Sequence, residues 1–486
     1  MFGKGRGVLH VTELLKDWPC TVTGGRPRIQ VTGITERAVN VGKGFLFVAR
    51  RGKRQDGANY IEEAIQKGAS AIVVDRPSLS ELPLNVPIIT VPDCRKFLSY
   101  ASARLAGNPS DRLTVVAVTG TNGKTTVTHF IGQLLQGMGI RCAVIGTIGV
   151  FIGGERIEYD CPEMTTLPAE YLHPLLADCE SRGVTHVILE ASSIGLATSR
   201  LAHCDIDVGL LLNIGQDHYE EHGGKESYIA AKGLLLRLAQ AAIVNQDDVQ
   251  CRLMADASEP PALHFGAAAM LGYSTEPILR KLAIPGHFNK MNAIAAASTL
   301  IALGYTVDDV AEQIGALALP EGRLQRLEQD GVQVFIDYAH TPDALEAVLQ
   351  TLSTSCYGKL ITVFGCGGER DKGKRAEMGE LAVRYSSLVF ITTDNPRNED
   401  PVLIVRDIKE GFGGDCSTVE AVLDRKDAIR QAVFRAAPGD IVLIAGKGHE
   451  KYQQTATGVL PFSDVAEAER ALTEKIYEGK VERESR

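Results

Sequence analysis

No stretch of this 486-residue chain is long and apolar enough to lie across a bilayer; the most apolar run, Ala293 to Leu303, is too short. Met1 to Asp17 carries several charges and no continuous apolar segment, so no secretory leader is expected. The interior has no run of basic residues and the formal net charge is -9, which argues against a general nucleic-acid binder because displacing counterions needs a positive stripe. The 10 cysteines form no C-x-x-C pair and no cluster with histidine at ligand spacing. They read as reduced thiols of a cytoplasmic protein rather than a disulfide frame or a zinc site. Internal repeats are absent, and only the tail from Glu478 onward reads as disordered. What remains is a soluble chain of ordinary composition, too long for one core, for which about three domains are expected.

The most informative stretch is Val115 to Thr126, Val-Val-Ala-Val-Thr-Gly-Thr-Asn-Gly-Lys-Thr-Thr. Apolar and β-branched residues run into Gly120, Thr121 and Asn122 intervene, and Gly123-Lys124-Thr125-Thr126 opens a helix. Strand, glycine turn and helix N-terminus form a phosphate cradle. Backbone N–H groups and the helix dipole favour an anion there, Lys124 supplies a mobile cation, and the Thr125 hydroxyl can ligate a phosphate-bound Mg²⁺. The spacing is two residues shorter than the usual P-loop, and a plain glycine turn before a helix is the competing reading.

Residues 1–110 read as a small α/β substrate-holding domain, with strands at Gly44–Ala49, Ala71–Asp75 and Val86–Val91 and a helix over Tyr60–Lys67. Asn108-Pro-Ser110 marks a boundary. Residues 111–325 alternate strands at Cys142–Gly146, Val184–Leu189, Val208–Asn213 and Ala242–Asn245 with helices such as Leu167–Ser181. That alternation predicts a doubly wound parallel sheet with ligands at the carboxyl ends of its strands. Residues 326–486 repeat the pattern, with strands Val332–Asp337, Leu360–Phe364, Leu388–Thr392 and Asp440–Ala445 each ending in a polar loop, and a helix over Asp343–Leu352 opened by Pro342. The fold class is α/β throughout.

Glu190 follows one central strand, Asp217-His218 with His222 follows another, and Lys232 lies on an intervening helix. A carboxylate and an imidazole delivered to the edge that holds a phosphate loop can bind Mg²⁺, directly or through water. Taken singly, Glu190 and His218 are equally readable as strand-end polar residues, and Lys232 as a solvated helix lysine.

The cradle Thr119 to Thr126, Thr165-Thr166, Glu190 with Ser192-Ser193, Asp217-His218 with His222-Gly223, Gly286-His-Phe-Asn-Lys-Met-Asn292, Asp337-Tyr-Ala-His-Thr-Pro342, Gly365 to Asp371, Asp394-Asn-Pro-Arg397 and Gly446-Lys-Gly-His-Glu450 occur in the order and context of the Mur ligases. The chain resembles that family from about Gly33 to Asp464, most of all its members that add meso-diaminopimelate to UDP-MurNAc-L-Ala-D-Glu in peptidoglycan precursor synthesis. The resemblance implies a UDP-binding first domain, a central ATPase-like domain and a C-terminal dinucleotide-fold-like domain, in a cytoplasmic monomer that binds small molecules and neither membrane nor nucleic acid. It implies an ATP-dependent, ADP-forming ligase working through an acyl phosphate. By the same resemblance Gly120 to Thr126, Asn289, Asn292, Arg323 and Asp337 contact ATP, with Arg323 on phosphate and Asp337 on the ribose. Thr165, Thr166, Ser193 and Arg200 hold the muramoyl-dipeptide. Arg370, Asp394, Asn395, Arg397, Gly446 and Glu450 form the amino-acid pocket. Thr125 and Glu190 hold one magnesium, His218 a second, and Lys232 matches the family's carbamoylated lysine; Lys124, Glu190, His218 and Lys232 are the expected catalytic set. A planar cation such as Arg397 and an acid such as Glu450 also suit the distal carboxylate and ammonium of diaminopimelate on chemical grounds.

Two positions depart from the pattern. Thr35-Glu-Arg37 stands where relatives usually read Asp-Ser-Arg, placing an acid near the expected diphosphate, and Ser192-Ser-Ile-Gly-Leu196 stands where Ser-Ser-His-Ala-Leu is common. The alternatives are a paralogue joining the amino acid to another carboxylate acceptor and a non-catalytic nucleotide-binding partner protein.

Overall fold

The computed structural model describes residues 7–24, 29–52, 55–76, 85–256, 261–412 and 417–484. Three sheets follow one another along the chain. The first has five strands in the order Thr21–Thr23, Ile88–Thr90, Ala69–Val74, Phe45–Val48 and Gly33–Thr35, parallel except for the first pair. The helix expected over Tyr60–Lys67 runs Ile61–Gln66.

The central sheet has ten strands. Six are mutually parallel, in the order Cys142–Gly146, His186–Glu190, Thr114–Thr119, Ile206–Leu211, Ala239–Asn245 and Leu263–Phe265. The strand that feeds the cradle therefore lies inside the sheet, covered on both faces. Val116 and Val118 pack with Phe130, Ile131 and Leu134 of the cradle helix Lys124–Gly137, while Val115 and Ala117 pack with Leu172, Leu175 and Leu176 of the helix Ala169–Ser181. Each such aliphatic side chain contributes about 1.5–3 kcal/mol on burial, which is why the strand reads as an unbroken apolar run.

Antiparallel strands extend both edges of this sheet, an addition to the parallel pattern expected from the sequence. At one edge Gly153 and Gly154, at φ 60° and 88°, make the two-residue turn between Gly149–Ile152 and Glu155–Ile157. Only glycine reaches both conformations cheaply, and Gly-Gly is a hairpin signal.

The third sheet orders Gln325–Gln329, Val332–Asp337, Ile441–Ala445, Leu360–Phe364, Leu388–Ile391 and Val419–Ala421, parallel after its first pair. The tail expected to be disordered from Glu478 is instead the end of a helix, Asp464–Glu484. Ala468, Ala471 and Leu472 give this helix an apolar stripe against Ile429 and Val433, and Arg430 bonds to Glu474 (3.0 Å) and Glu478 (3.2 Å). The cysteines among the described residues are free thiols, as expected.

Candidate active site

The loop after Thr119 is held from the neighbouring strand end. Thr121 N–H donates to the Asn213 carbonyl (3.0 Å) and Asn122 N–H to Asn213 Oδ1 (2.8 Å). Gly123 sits at φ 89°, and a Cβ there would lie 2.6 Å from Asn292 Oδ1, so both backbone angle and space require glycine. Lys124 curls back to donate to the carbonyls of Gly120 (2.8 Å) and Thr121 (2.9 Å). Burial lowers its ammonium pKa, opposed by Glu190.

Glu190 is the last residue of its strand rather than the first beyond it. Only 2% of it is exposed, and its carboxylate accepts from Thr125 Oγ1 (3.1 Å), Thr147 N–H (2.9 Å) and Thr147 Oγ1 (3.0 Å). Arg323 reaches across to donate to Thr125 Oγ1 (3.2 Å) and lies 4.7 Å from the Tyr338 ring centre. Lys232 is buried, donates to the Gly120 carbonyl (2.7 Å) and sits 4.7 Å from the centre of the Tyr228 ring. Burial, then the charge of Lys124, pushes its pKa well below the ordinary lysine value, toward a neutral amine. Asn289 and Asn292 lie one turn apart on the helix His287–Ala302, with Asn289 Nδ2 on the Pro285 carbonyl (2.8 Å). Asp337 accepts the N–H groups of Leu324 (2.7 Å) and Ala339 (2.8 Å), so each of its oxygens already has one backbone donor. Burial raises its pKa.

These groups surround a cavity of about 480 Å³ that also takes Thr121 to Thr126, Ser193 and His218 into its wall. Gly120 is not on that wall; its carbonyl is the anchor for the two lysines. A larger cavity of about 1710 Å³ is lined by Thr165, Thr166 and Arg200 from the central part of the chain and by Arg370, Asp394, Asn395, Arg397, Gly446 and Glu450 from the third. Both cavities share Thr147, Thr165, Asp217, His218, Tyr338 and His340 as walls, so the expected nucleotide and amino-acid residues meet there. Ser193, expected with the dipeptide group, faces the smaller cavity and shares a hydrogen bond with His222 Nε2 (3.0 Å).

At the junction, the His218 imidazole lies 3.3 Å from Asp217 and 3.4 Å from Glu221. Burial acts to raise the Asp217 pKa, but His340, His218 and Lys374 outweigh it and hold the carboxyl below its usual range. Arg370 is ion-paired to Glu221, and Arg397 donates to the Gly368 carbonyl (2.7 Å). Thr166 Oγ1 donates to the Glu190 carbonyl (2.8 Å) and accepts from Ser192 N–H (2.8 Å), while Arg200 bonds to the Thr166 carbonyl (2.5 Å).

Both departures noted in the sequence have local explanations. Glu36 is ion-paired with Arg50, Nη2 lying 2.9 Å from Oε1, so its charge is compensated. Thr35 is buried and donates to Glu170 Oε1 (2.8 Å). Burial, then the neighbouring Glu36, raises the Glu170 carboxyl to about 7. At Gly195 a Cβ would meet the Thr166 side chain at 2.7 Å, which accounts for glycine at this position.

Thr147, Asn213, Glu170 and Lys374 were not singled out in the sequence. Thr147 and Asn213 each follow a central strand within two residues, and the strand-end rule that selected Glu190 points to them as well. Glu170 and Lys374 carry no comparable signal.

Residues 30–105 match the model of the Mur ligase family, catalytic domain; residues 118–300 that of the Mur ligase middle domain; and residues 322–448 that of the Mur ligase, glutamate ligase domain. A UDP-N-acetylmuramoyl-L-alanyl-D-glutamate--2,6-diaminopimelate ligase of Pseudomonas putida is 38% identical over 92% of this chain and 95% of its own. The chain belongs to the Mur ligase family. An enzyme of the same name from Geobacillus thermodenitrificans is 35% identical over 93% of this chain and 96% of its own. A solved structure of such a Mur ligase superposes with a TM-score of 0.64 at 31% identity, covering 96% of this chain and 99% of that one. The Thermotoga maritima MurF ligase in complex with ADP shares the fold, with a TM-score of 0.60 at 20% identity over 92% of this chain and 98% of its own. Mur ligases are ATP-dependent, ADP-forming enzymes that act on small nucleotide-linked substrates, and this chain is a ligase of that kind. Among the described residues, no helix is long and apolar enough to cross a membrane.

Proposed function

We propose that the protein joins meso-diaminopimelate to UDP-MurNAc-L-Ala-D-Glu, with ATP converted to ADP and phosphate, as a cytoplasmic monomer divided near residues 110 and 325. Support comes from one observation above all: the cavity of the cradle with Lys124 and the pocket with Arg397 and Glu450 lie side by side, sharing Asp217 and His218 as wall. A ligase that activates a carboxylate and then attacks it with an amine needs those two sites adjacent.

In the reaction, the D-glutamate side-chain carboxylate attacks the γ-phosphorus and ADP leaves. The amino group of diaminopimelate attacks the resulting acyl phosphate, and the tetrahedral intermediate expels phosphate to leave an amide. Phosphorylation matters because an ionised carboxylate has no leaving group for an amine to displace. Lys124 would follow the charge on the transferring phosphoryl group, with the cradle N–H groups fixed around it. Arg323 would add a second cation, and Asn289, Asn292 and Asp337 would seat the nucleoside. Thr165, Thr166, Ser193 and Arg200 would orient the acceptor, and Arg370, Asp394, Asn395, Arg397, Gly446 and Glu450 the incoming amino acid.

Among the described residues, no group of three or more His, Cys, Asp or Glu is gathered as a metal cage. Magnesium bound through phosphate and water needs only one or two protein ligands, and Thr125 beside Glu190 fits that requirement, with His218 across the cavity. Magnesium there would neutralise phosphate charge and orient the carboxylate. Lys232 fits carbamoylation, since CO₂ adds to a neutral amine and burial disfavours the charged form. The resulting carbamate would place a negative group beside Lys124 and the metal.

The test is phosphate release measured with a panel of acceptors and amino acids. Release that requires both UDP-MurNAc-L-Ala-D-Glu and meso-diaminopimelate is the expected result. Turnover only with a different carboxylate acceptor would replace the reading with the paralogue; nucleotide binding without turnover would replace it with a partner protein.

A further inference from the structure

Lys447 has no place in the roles above, yet it is 0% exposed and its ammonium is spent on two residues, Glu450 and Asn395, that line the amino-acid pocket. It follows Gly446 at the end of the strand Ile441–Ala445 and donates to Glu450 Oε2 (2.8 Å) and Asn395 Oδ1 (3.0 Å). Asn395 Nδ2 donates to the same Glu450 oxygen (2.8 Å), and Asn395 Oδ1 also accepts Gln454 N–H (2.9 Å). Glu450 Oε2 is thus saturated. No hydrogen bond to Oε1 occurs among the described residues, and Glu450 lines the large cavity.

We infer that Lys447 is a positioning residue that makes the pocket selective for a complete amino-acid head, an ammonium with a carboxylate beside it, at the far end of the incoming substrate. The inference rests on the reading that this pocket takes a diamino acid. Two effects act together. Lys447 and Asn395 lock the Glu450 carboxylate so that one oxygen points to the ligand. Lys447 also compensates the Glu450 charge in advance, so a lone ammonium at Oε1 gains little net attraction against a second buried cation. A ligand that adds a carboxylate for Arg397 brings its own compensation and gains both contacts. Diaminopimelate has such a head at its far end; lysine has the ammonium alone.

Kinetics with diaminopimelate and L-lysine test this in the full-length Lys447→Met enzyme. The expected result is a rise of about 10- to 100-fold in the KM for diaminopimelate, with kcat at saturation and the KM for ATP nearly unchanged. The KM for lysine should stay level or fall, so that the preference for diaminopimelate collapses. Equal losses for both amino acids, or loss of ATP affinity and kcat together, would mark Lys447 as only structural and overturn the inference. Should the methionine variant melt early, Lys447→Gln keeps a donor to Glu450 without the charge, and the same outcomes decide. A wild type that uses neither amino acid overturns the functional reading and this inference together. Wild-type turnover with unchanged preference in both variants overturns the inference alone.

Discussion

Three side chains carry the sharpest expectations. Lys124 is spent on two carbonyls of its own loop, so Lys124→Met removes a phosphate cation while the neighbouring Glu190 keeps its three hydrogen bonds. Turnover should fall by roughly 10³-fold or more, the scale of a lost transition-state charge contact, while the melting temperature stays within a few degrees. Lys232→Ala should be inactive and partly restored by short-chain carboxylates that replace the carbamate; full activity in the plain variant would remove Lys232 from the mechanism. Glu170 gives a pH signature. Its folded pKa, about 7, lies above the ordinary 4.5, because burial and Glu36 disfavour the charge. The folded state therefore holds a proton that the unfolded chain releases, and stability falls as pH rises from the unfolded value through about 7. Glu170→Gln keeps the acceptor for Thr35 and should be more stable than wild type above that pH, by up to about 3 kcal/mol, with the advantage gone near pH 4. Chemical denaturation at several pH values measures this, and a variant less stable at alkaline pH would contradict it.

Among the elements, the parallel strands were legible because burial on both faces makes them continuous apolar runs, as in Val115 to Val118. The edge strands are two to four residues long and half exposed, too short to show a period. The end of the last helix was misread because its packed side chains, Val465, Ala468, Ala471 and Leu472, all lie before Glu478, and the sequence beyond is mostly charged. Motif residues were legible as groups, but their partners were not. Arg50 on Glu36, Thr35 on Glu170 and Thr147 on Glu190 join distant positions, and no local pattern records such pairs. Two element-level changes follow. Gly195→Ala gains about 1 kcal/mol of helix propensity but drives a Cβ into Thr166, whose hydroxyl is already bonded three times. Overpacking of about 1–3 kcal/mol should win, lowering stability and raising the KM for the acceptor. Arg425 and Asp464, both side chains 0% exposed, tie two helix starts together through paired 2.7 Å bonds, and Arg425 also bonds to the Ala445 carbonyl beside Gly446. Arg425→Met leaves Asp464 buried and unpaired and should cost about 3–5 kcal/mol in urea unfolding, far more than the double change with Asp464→Leu.

Across the whole molecule, each buried core cluster is drawn from one sheet and its own helices; the parts meet through polar contacts such as Thr35 on Glu170 and Arg370 on Glu221 and through apolar ones such as Phe288 on the third core. Calorimetry should therefore resolve more than one transition. ATP at a hundredfold excess over its Kd should raise the central one by about 2.7 kcal/mol and leave the first sheet's transition in place; a single transition shifted as a unit would show the three cores to be coupled. The position of the cradle strand also bears on biosynthesis. Thr114–Thr119 leaves the ribosome well before His186–Glu190 and Ile206–Leu211, the strands that flank it on either side. At ordinary elongation rates its apolar edges wait on the order of ten seconds for partners. The segment that will grip the nucleotide is thus the one most exposed to mispairing during synthesis, and nascent-chain chaperones should bind it before any other part of the central sheet.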